Sequence, residues 1–270
     1  MDSMEMIEPV QRIAAQAASR ILEIYAAGFN VTEKADLSPI TEADMAAHEI
    51  IVAGLSALTP QIPVLSEESH NVSIAERRRW ESLWLVDPLD GTRQFIRRND
   101  EFSVNIALIR RHRPVLGLIL IPVGGTCYFA CRGQGAFKRL AGRPAGRIHA
   151  RRISKTPIQV AGSRGFNSRR LKAYLEKLGQ HDYVGMGSSI KSCLVAEGKI
   201  DLYPRFGPTA EWDTAAAQII VEEAGGHLTD ARLQPLRYNA RSTLINPDFF
   251  VFGDASHDWS QYLPVINDPC

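Results

Sequence analysis

The chain has 270 residues, of which 45% are hydrophobic and 23% are charged, and its formal net charge at pH 7 is +1. This balance is typical of a globular protein and excludes a disordered chain. No apolar run approaches the ~20 residues that a membrane-spanning helix needs. The first eight residues carry three acids and no base, which is wrong for a secretory signal. We therefore expect a cytoplasmic protein.

The four cysteines and the basic residues exclude further classes of protein. The cysteines show no Cys-x-x-Cys spacing, so we expect reduced thiols and neither a zinc site nor a disulfide framework. The segment Arg132–Leu175 contains twelve Lys or Arg residues and no acid. This pattern indicates a solvated basic face or, alternatively, a field that attracts a polyanionic small molecule. It lacks interleaved aromatic residues, so nucleic acid binding is not predicted.

Two amphipathic helices are predicted near the start of the chain. Apolar residues recur three and four positions apart over Val10–Tyr25, and Gly28 closes this helix. After a loop over Lys34–Thr41, the sequence Thr41-Glu-Ala-Asp44 has the capping-box pattern that begins a second helix. The predicted apolar face of this second helix consists of Met45, His48, Val52 and Leu55.

Short strands follow these helices. A strand over Val64–Leu65 precedes two glutamates, and the apolar run Leu83–Val86 predicts a buried strand that ends at Asp87-Pro88, because proline cannot donate to a ladder. Alternating apolar residues then predict an antiparallel meander. Its strands are expected at Val104–Leu108, Val115–Ile121, Thr126–Ala130 and Gly135–Phe137.

The second half of the chain alternates between strands and helices, which predicts an α/β layer. The expected elements are strands at Ile158–Ala161 and Ile200–Tyr203, and helices at Ser168–Leu178, Ser188–Glu197 and Trp212–Ala224. The Gly-, Pro- and Arg-rich segment Arg139–Arg152 has turn chemistry. We therefore predict two subdomains, residues 1–150 and residues 151–270.

The most informative stretch is Trp84-Leu-Val-Asp87-Pro-Leu-Asp90-Gly-Thr92, in which an apolar strand leads into two carboxylates, a glycine and a hydroxyl. Asp87, Asp90 and the backbone carbonyl of Leu89 can all face one hard cation, which prefers oxygen ligands. Gly91 lets the backbone approach an anion closely, and the Gly91 and Thr92 amides could face a phosphate oxygen. The pattern therefore indicates a metal and phosphate site.

Two other interpretations of this stretch stay open. A strand end followed by an Asp-Gly turn is common in any domain. Phosphatases that use a nucleophilic aspartate carry Asp-x-Asp-Gly-Thr after a strand, but here the two aspartates are one residue further apart. This spacing would displace the second aspartate from general acid-base catalysis.

Three more carboxylates are candidates for the same site. Asp44 could simply cap its helix or could hold a metal-bound water. Glu67 follows a second strand end, where paired glutamates usually serve solubility. Asp213 lies in the first turn of a predicted helix, where the dipole favours a carboxylate, and it could also complete a metal site.

With Glu67-Glu68, Asp87-Pro-Leu-Asp90-Gly-Thr92 and Trp212-Asp213 in this order, the chain resembles the inositol monophosphatase superfamily of magnesium-dependent, lithium-sensitive phosphatases. Within it, further segments are similar to the CysQ-type 3′(2′),5′-bisphosphate nucleotidases. These segments are Leu65–Glu68, Phe102–Ile109, Gly187–Lys191, Cys193–Gly198 and Tyr203–Pro208. The similarity runs from about Val10 to Gly253, and the tail after Gly253 lies outside it.

The resemblance implies a layered αβαβα sandwich, the sugar-phosphatase fold. It implies that Mg²⁺ is bound by Glu67, Asp87, the Leu89 carbonyl, Asp90 and Asp213, with about two or three ions per site. Gly91 and Thr92 would hold the phosphate, and Asp44 together with the Thr92 hydroxyl would orient and deprotonate the attacking water. Glu67, Leu89, Asp90 and Asp213 would thereby also face the substrate.

The substrate implied by the resemblance is adenosine 3′,5′-bisphosphate, hydrolysed to AMP and phosphate, with 3′-phosphoadenylyl sulfate as a second substrate. Lys191 and Arg205 are the candidates for the second phosphate, although surface charge or helix pairing explains such residues equally well. Ser163, Gly187 and Ser188 are the candidates for the nucleotide.

Several alternatives remain at this point. An inositol or sugar monophosphatase of the same superfamily and a non-catalytic binder of phosphorylated ligands would both use much of the same site. Arg93-Gln94 and Asp100 depart from the Lys-Glu pair and the glycine expected there, which bears on substrate preference. The partner would be a small phosphonucleotide, the chain would be a monomer or a homodimer, and peripheral membrane association through the basic stretch stays open.

Overall fold

The computed structural model describes residues 3–33, 39–69, 71–152, 156–165 and 168–263. Most of the loop predicted over Lys34–Thr41 therefore lies outside the described residues, as does Cys270. The helices are α1 (Ser3–Ala27), α2 (Glu42–Leu58), α3 (Ile74–Arg77), α4 (Thr92–Ile96), α5 (Arg169–Leu178), α6 (Ile190–Ala196) and α7 (Glu211–Glu223). Two short 3₁₀ turns occur at Val123–Gly125 and Trp259–Tyr262.

The strands form two large sheets and one small pair. The pair consists of β1 (Val31–Glu33) and β2 (Pro39–Thr41). The first large sheet contains β3 (Val64–Ser66), β4 (Ser82–Asp90), β5 (Ser103–Arg110), β6 (Arg113–Ile121), β7 (Thr126–Cys131), β8 (Gly135–Arg139) and β9 (Gly146–Ile148). The second contains β10 (Ile158–Gly162), β11 (His181–Gly185), β12 (Leu202–Arg205), β13 (His227–Asp230) and β14 (Phe249–Phe252).

The seven strands of the first sheet lie in chain order and are antiparallel, except that β3 runs parallel to β4. The second sheet has the order β11-β10-β12-β14-β13. The strands β11, β10 and β12 are parallel to one another, whereas β14 is antiparallel to both of its neighbours, β12 and β13. The predicted meander is confirmed by the run from β4 to β8.

Three apolar clusters stack these elements into five layers. The first lies between α1 and α2 and one face of the seven-stranded sheet, which contributes residues such as Trp84 and Ile106. The second lies on the opposite face of that sheet and includes Ile219 of α7 and Val251 of the five-stranded sheet. The third packs α5 on the far face of the five-stranded sheet, through Tyr174 for example. This arrangement confirms the expected αβαβα sandwich.

The strand β4 does not end at Asp87-Pro88, as the sequence predicted, but continues to Asp90. Asp87 pairs with Asn105 and Asp90 pairs with Ser103, so β4 carries one residue more than β5 across this interval. This is a β-bulge, which leaves the extra residue out of the ladder and therefore accommodates a proline that has no N–H.

The buried face of α2 also differs from the prediction. Met45 is 40% exposed, whereas the buried apolar residues of the helix are Ala43, Ala47, Ile51 and Leu55. Small residues lie on this face because α1 packs closely against it; a Cβ added at Gly54 would lie 2.7 Å from Ile13 Cγ1.

Candidate active site

A cleft of about 540 Å³ is lined by residues from both halves of the chain. Ten of the site residues predicted from the sequence line it: Glu67, Asp90, Gly91, Thr92, Ser163, Gly187, Ser188, Lys191, Arg205 and Asp213. The other three predicted residues, Asp44, Asp87 and Leu89, are buried and contact residues of the cleft wall. The structure therefore brings together residues that are up to 169 positions apart, from Asp44 to Asp213.

An acidic cluster contributes two residues, Glu67 and Asp213, to the lining of this cleft. Glu67 follows β3, Asp87 lies in β4 and Asp213 lies in the first turn of α7, and each offers a carboxylate oxygen within 4.8 Å of the others. Asp87 is 1% exposed, and its Oδ1 accepts from the Leu89 N–H at 3.1 Å. Its other oxygen, Oδ2, is buried without a hydrogen-bond donor among the described residues. Three carboxylates arranged in this way are suitable ligands for a hard divalent cation, which would supply the partner that Asp87 Oδ2 lacks.

Burial and the repulsion between neighbouring carboxylates raise the pKa values of two members of the acidic cluster. Burial, followed by the nearby charges of Glu67, Asp90, Asp213 and Asp44, raises the pKa of Asp87 well above its ordinary value. Burial and the charges of Asp90 and Glu67 likewise raise the pKa of Asp213 well above its ordinary value. The cluster therefore favours any positive charge placed among these carboxylates.

Asp90 lines the cleft beside this cluster, but much of its carboxylate is held by the protein. Its Oδ2 accepts from both the backbone N–H and the hydroxyl of Ser189 at 2.6 Å, and from Asn105 Nδ2 at 3.2 Å. Asn105 and Ser189 are buried and also bond to each other at 2.9 Å. Neither residue was singled out from the sequence; the only signal was a polar residue, Asn105, within an apolar strand.

The carboxylate of Asp44 connects the start of α2 to Thr92. Its Oδ2 accepts from the N–H and the hydroxyl of Thr41 at 2.8 and 2.6 Å, which completes the predicted capping box. Its Oδ1 accepts from the Thr92 hydroxyl at 3.0 Å, and that hydroxyl also lies 3.3 Å from the Leu89 carbonyl. Burial raises the pKa of Asp44, although its hydrogen bonds oppose this effect. Asp44 therefore caps α2 and contacts a residue of the site at the same time.

Gly91 allows the backbone to turn from β4 into α4. Its φ of +98° lies in the left-handed region, and a Cβ at this position would lie 2.9 Å from the Glu101 carbonyl oxygen. The Gly91 carbonyl accepts from the N–H groups of Gln94 and Phe95. Only glycine fits both the conformation and the space without strain.

Cationic side chains form another part of the cleft lining, here called the cationic wall. Lys191 is 4% exposed, which contradicts the surface-charge alternative for this residue; its ammonium donates to the carbonyls of Ser188 at 2.5 Å and Met186 at 3.2 Å. Burial lowers the pKa of Lys191 to about 8. Arg205 donates from Nη1 to the Ser163 hydroxyl at 2.9 Å and from Nη2 to the Pro208 carbonyl at 3.2 Å.

Glu101 and Arg164 are two charged residues of this region that the sequence did not single out. The carboxylate of Glu101 accepts from Arg164 Nε at 2.9 and 3.0 Å and from Arg164 Nη2 at 2.5 Å. It also accepts from the Gly187 N–H at 2.8 Å. Because Arg164 and Gly187 lie 63 and 86 positions from Glu101, no local sequence pattern could have paired them with it.

Within the ranges that the structure describes, no helix is both long enough and apolar enough to cross a membrane.

Comparison with known proteins gives one consistent family. Residues 2–258 match the inositol monophosphatase family. The 3′(2′),5′-bisphosphate nucleotidase CysQ of Shigella flexneri is 45% identical over 248 residues, which cover 91% of this chain and 99% of the relative. The crystal structure of CysQ from Bacteroides thetaiotaomicron is 40% identical with a TM-score of 0.79, covering 95% of this chain and 97% of the other.

A more distant structure agrees in fold. The IMPase of Thermotoga maritima, at 22% identity, has a TM-score of 0.77 and covers 97% of this chain and 96% of its own. The family match spans nearly the whole described chain, including the acidic cluster and the cationic wall. The chain therefore belongs to the inositol monophosphatase family.

Proposed function

We propose that this chain is a Mg²⁺-dependent phosphatase that hydrolyses the 3′-phosphate of adenosine 3′,5′-bisphosphate to give AMP and phosphate. The observation that carries the proposal is a single cleft whose lining includes residues of the acidic cluster and the cations Lys191 and Arg205. The names of the CysQ relatives support the same substrate class. 3′-Phosphoadenylyl sulfate, which carries the same 3′-phosphate, is proposed as a second substrate.

The acidic side of the cleft would hold the metal. Glu67, Asp87, Asp90, Asp213 and the Leu89 carbonyl are proposed as ligands for two or three Mg²⁺ ions, and the orphaned Oδ2 of Asp87 favours such a role. Bound Mg²⁺ supplies Lewis-acid stabilisation of the charge on the phosphoryl group and lowers the pKa of water. The hydrogen bonds from Ser189 and Asn105 would fix the orientation of Asp90.

Asp44 and Thr92 are proposed to handle the proton of the attacking water. Since the Thr92 hydroxyl donates to Asp44 Oδ1, the lone pairs of Thr92 Oγ1 are available to accept from water. Transfer of the Thr92 proton to Asp44 Oδ1 would accompany removal of the water proton by Thr92. The raised pKa of Asp44 makes this carboxylate a better acceptor.

The phosphate and the nucleoside would occupy adjacent parts of the cleft. Gly91 and Thr92 are proposed to place their amides against the reacting phosphate, in a turn that the left-handed Gly91 fixes. Lys191 donates to two carbonyls, so one of its three N–H bonds is left for the second phosphate. Ser163, Gly187 and Ser188 line the same wall and are proposed to contact the nucleotide.

Phosphate release from a panel of substrates tests the proposal. Wild-type protein with MgCl₂ is assayed on adenosine 3′,5′-bisphosphate, inositol 1-phosphate and fructose 1,6-bisphosphate, each with and without LiCl. We expect kcat/KM to be highest for the nucleotide and Li⁺ to inhibit. Asp90→Asn, prepared in parallel, should release no phosphate and so controls for contaminating phosphatases.

Other outcomes of this panel decide between the alternatives. Preference for inositol 1-phosphate or fructose 1,6-bisphosphate would keep the metal site and contradict the proposed substrate. Silence on all three substrates, with and without Mg²⁺, would favour a phosphate-binding protein without catalysis.

A further inference from the structure

Arg164 lines the cleft and is both accessible and held in place by the protein. Its side chain is 53% exposed, and that of Glu101 is only 12% exposed. Nε of Arg164 donates to Glu101 Oε2 and Nη2 donates to Glu101 Oε1, which is the two-point arrangement that fixes a guanidinium in one orientation. Among the described residues, Nη1 of Arg164 has no hydrogen-bond partner.

Glu101 fixes more than this one arginine. The loop that follows α4 supplies Glu101, whose carboxylate also accepts from the Gly187 N–H. A Cβ at Gly187 would lie 2.7 Å from the Glu101 carbonyl oxygen, so this turn packs directly on Glu101. Burial alone would raise the pKa of Glu101, but the hydrogen bonds from Arg164 and Gly187 lower it below its ordinary value. Glu101 is thus a charged link between three segments of the cleft wall.

Two other cations that line the cleft are largely engaged in holding its wall. Lys191 donates to two backbone carbonyls, and Arg205 donates to Ser163 and Pro208. Arg205 and Arg164 both lie next to Ser163, since Arg205 donates to its hydroxyl and Arg164 follows it in the chain. This places a fixed guanidinium with a spare N–H next to the groups proposed for the second phosphate.

We propose that Arg164 binds the second, non-reacting phosphate of the nucleoside bisphosphate through Nη1, and that Glu101 is the residue that positions it. The inference rests on the proposed function and deepens it, because it makes a contact outside the acidic cluster responsible for the choice of substrate. A guanidinium already fixed in place loses little conformational entropy on binding, so its contact with a phosphate contributes more to affinity.

Two nucleotides that differ only in that phosphate test the assignment. Wild type, Arg164→Ala and the control Arg169→Ala are assayed on adenosine 3′,5′-bisphosphate and on adenosine 3′-phosphate. Arg169 is an exposed arginine that does not line the cleft. We expect Arg164→Ala to lower kcat/KM for the bisphosphate about ten- to hundredfold and that for the monophosphate less than about twofold, as suits a charge-assisted hydrogen bond.

The variant Glu101→Gln tests whether Glu101 positions Arg164 or only maintains the structure of the cleft wall. This variant can still accept from Gly187 but loses the charged two-point contact. We expect a higher KM for the bisphosphate at unchanged kcat, with no change for the monophosphate. Adding Glu101→Gln to Arg164→Ala should leave the ratio of the two kcat/KM values as it is in Arg164→Ala alone, since Glu101 acts through Arg164.

Equal losses on both nucleotides, or no loss on either, would overturn the assignment. Arg97 also lines the cleft, and a bisphosphate-specific loss in Arg97→Ala but not in Arg164→Ala would overturn the assignment as well. If the wild-type protein hydrolyses neither nucleotide, the proposed function fails instead. Equilibrium binding of AMP, which keeps the 5′-phosphate, then decides the role of Arg164: about tenfold weaker binding by Arg164→Ala supports it, and unchanged binding contradicts it.

Discussion

At the scale of single residues, one carboxylate can serve two purposes because it has two oxygens. Asp44 uses Oδ2 to cap α2 and Oδ1 to hold the Thr92 hydroxyl. The cap could be predicted from Thr41 and Asp44 alone, because its partners are three residues apart. The contact with Thr92 spans 48 positions and could not be predicted from local spacing; only the resemblance to the phosphatase family pointed to it.

The proposed role of Thr92 makes a residue-scale prediction. Thr92→Val keeps the side-chain volume but removes the hydroxyl that bonds Asp44. We expect kcat for phosphate release to fall by about 10²–10⁴, which is typical for loss of general acid-base catalysis, with little change in KM. Steady-state assays on adenosine 3′,5′-bisphosphate measure this.

The matched control for Thr92→Val is Thr126→Val, on β7 and outside the cleft, which should leave kcat unchanged. A Thr92→Val enzyme with wild-type kcat would contradict a proton-handling role for this hydroxyl.

At the scale of secondary structure, elements with a clear internal period could be predicted, and those defined by tertiary contacts could not. The helices over Arg169–Leu178 and Glu211–Glu223 are confirmed near their predicted bounds. The length of β4 depends on a bulge against β5, and the buried face of α2 depends on close packing with α1. Neither the length of β4 nor the buried face of α2 could be predicted from the local pattern of apolar residues.

The contact between β6 and α7 gives the element-scale prediction. A Cβ at Gly117 would lie 2.6 Å from the Ala216 carbonyl oxygen, which belongs to the backbone of α7. Gly117→Ala should therefore displace α7, lower the free energy of unfolding by about 1–3 kcal/mol and move Asp213, so that Mg²⁺ binds more weakly. Urea unfolding and Mg²⁺ titration measure the two effects.

Gly146→Ala is the matched control, because a Cβ at this strand position meets no atom within 4 Å. Gly117→Ala with the stability and Mg²⁺ affinity of Gly146→Ala would contradict the close approach of β6 and α7.

At the scale of the whole molecule, the acidic cluster joins the two halves of the chain. Glu67 and Asp87 come from the half that builds the seven-stranded sheet, and Asp213 comes from α7, which packs between the two sheets. The division into residues 1–150 and 151–270 stays a prediction, although the change of sheet between β9 and β10 falls near it. Three separate sequence motifs indicated an acidic site, whereas its assembly depends on long-range packing.

Without cations this cluster should make stability depend on pH. Because the pKa values of Asp87 and Asp213 are raised, the folded apo protein binds more protons than the unfolded chain above the ordinary value of 3.8. The free energy of unfolding of the apo protein therefore falls as pH rises from 3.8 through the raised pKa values. Cations that bind only the folded state should reverse this loss.

The central claim is that Glu67, Asp87 and Asp213 form a divalent cation site, and thermal unfolding of wild type and Asp87→Asn at neutral pH tests it most directly. In EDTA we expect Asp87→Asn to be about 1–2 kcal/mol more stable than wild type, because one buried like charge is removed. MgCl₂ at a hundredfold excess over Kd should stabilise wild type by about 2.7 kcal/mol and raise its Tm by about 5–10 °C.

Asp182→Asn, an exposed carboxylate on β11 outside the cluster, should respond to EDTA and MgCl₂ as wild type does. In Asp87→Asn the rise in Tm with MgCl₂ should be lost or much reduced. An equal rise in Tm for Asp87→Asn and wild type, together with a less stable variant in EDTA, would contradict the claim that these three carboxylates bind the cation.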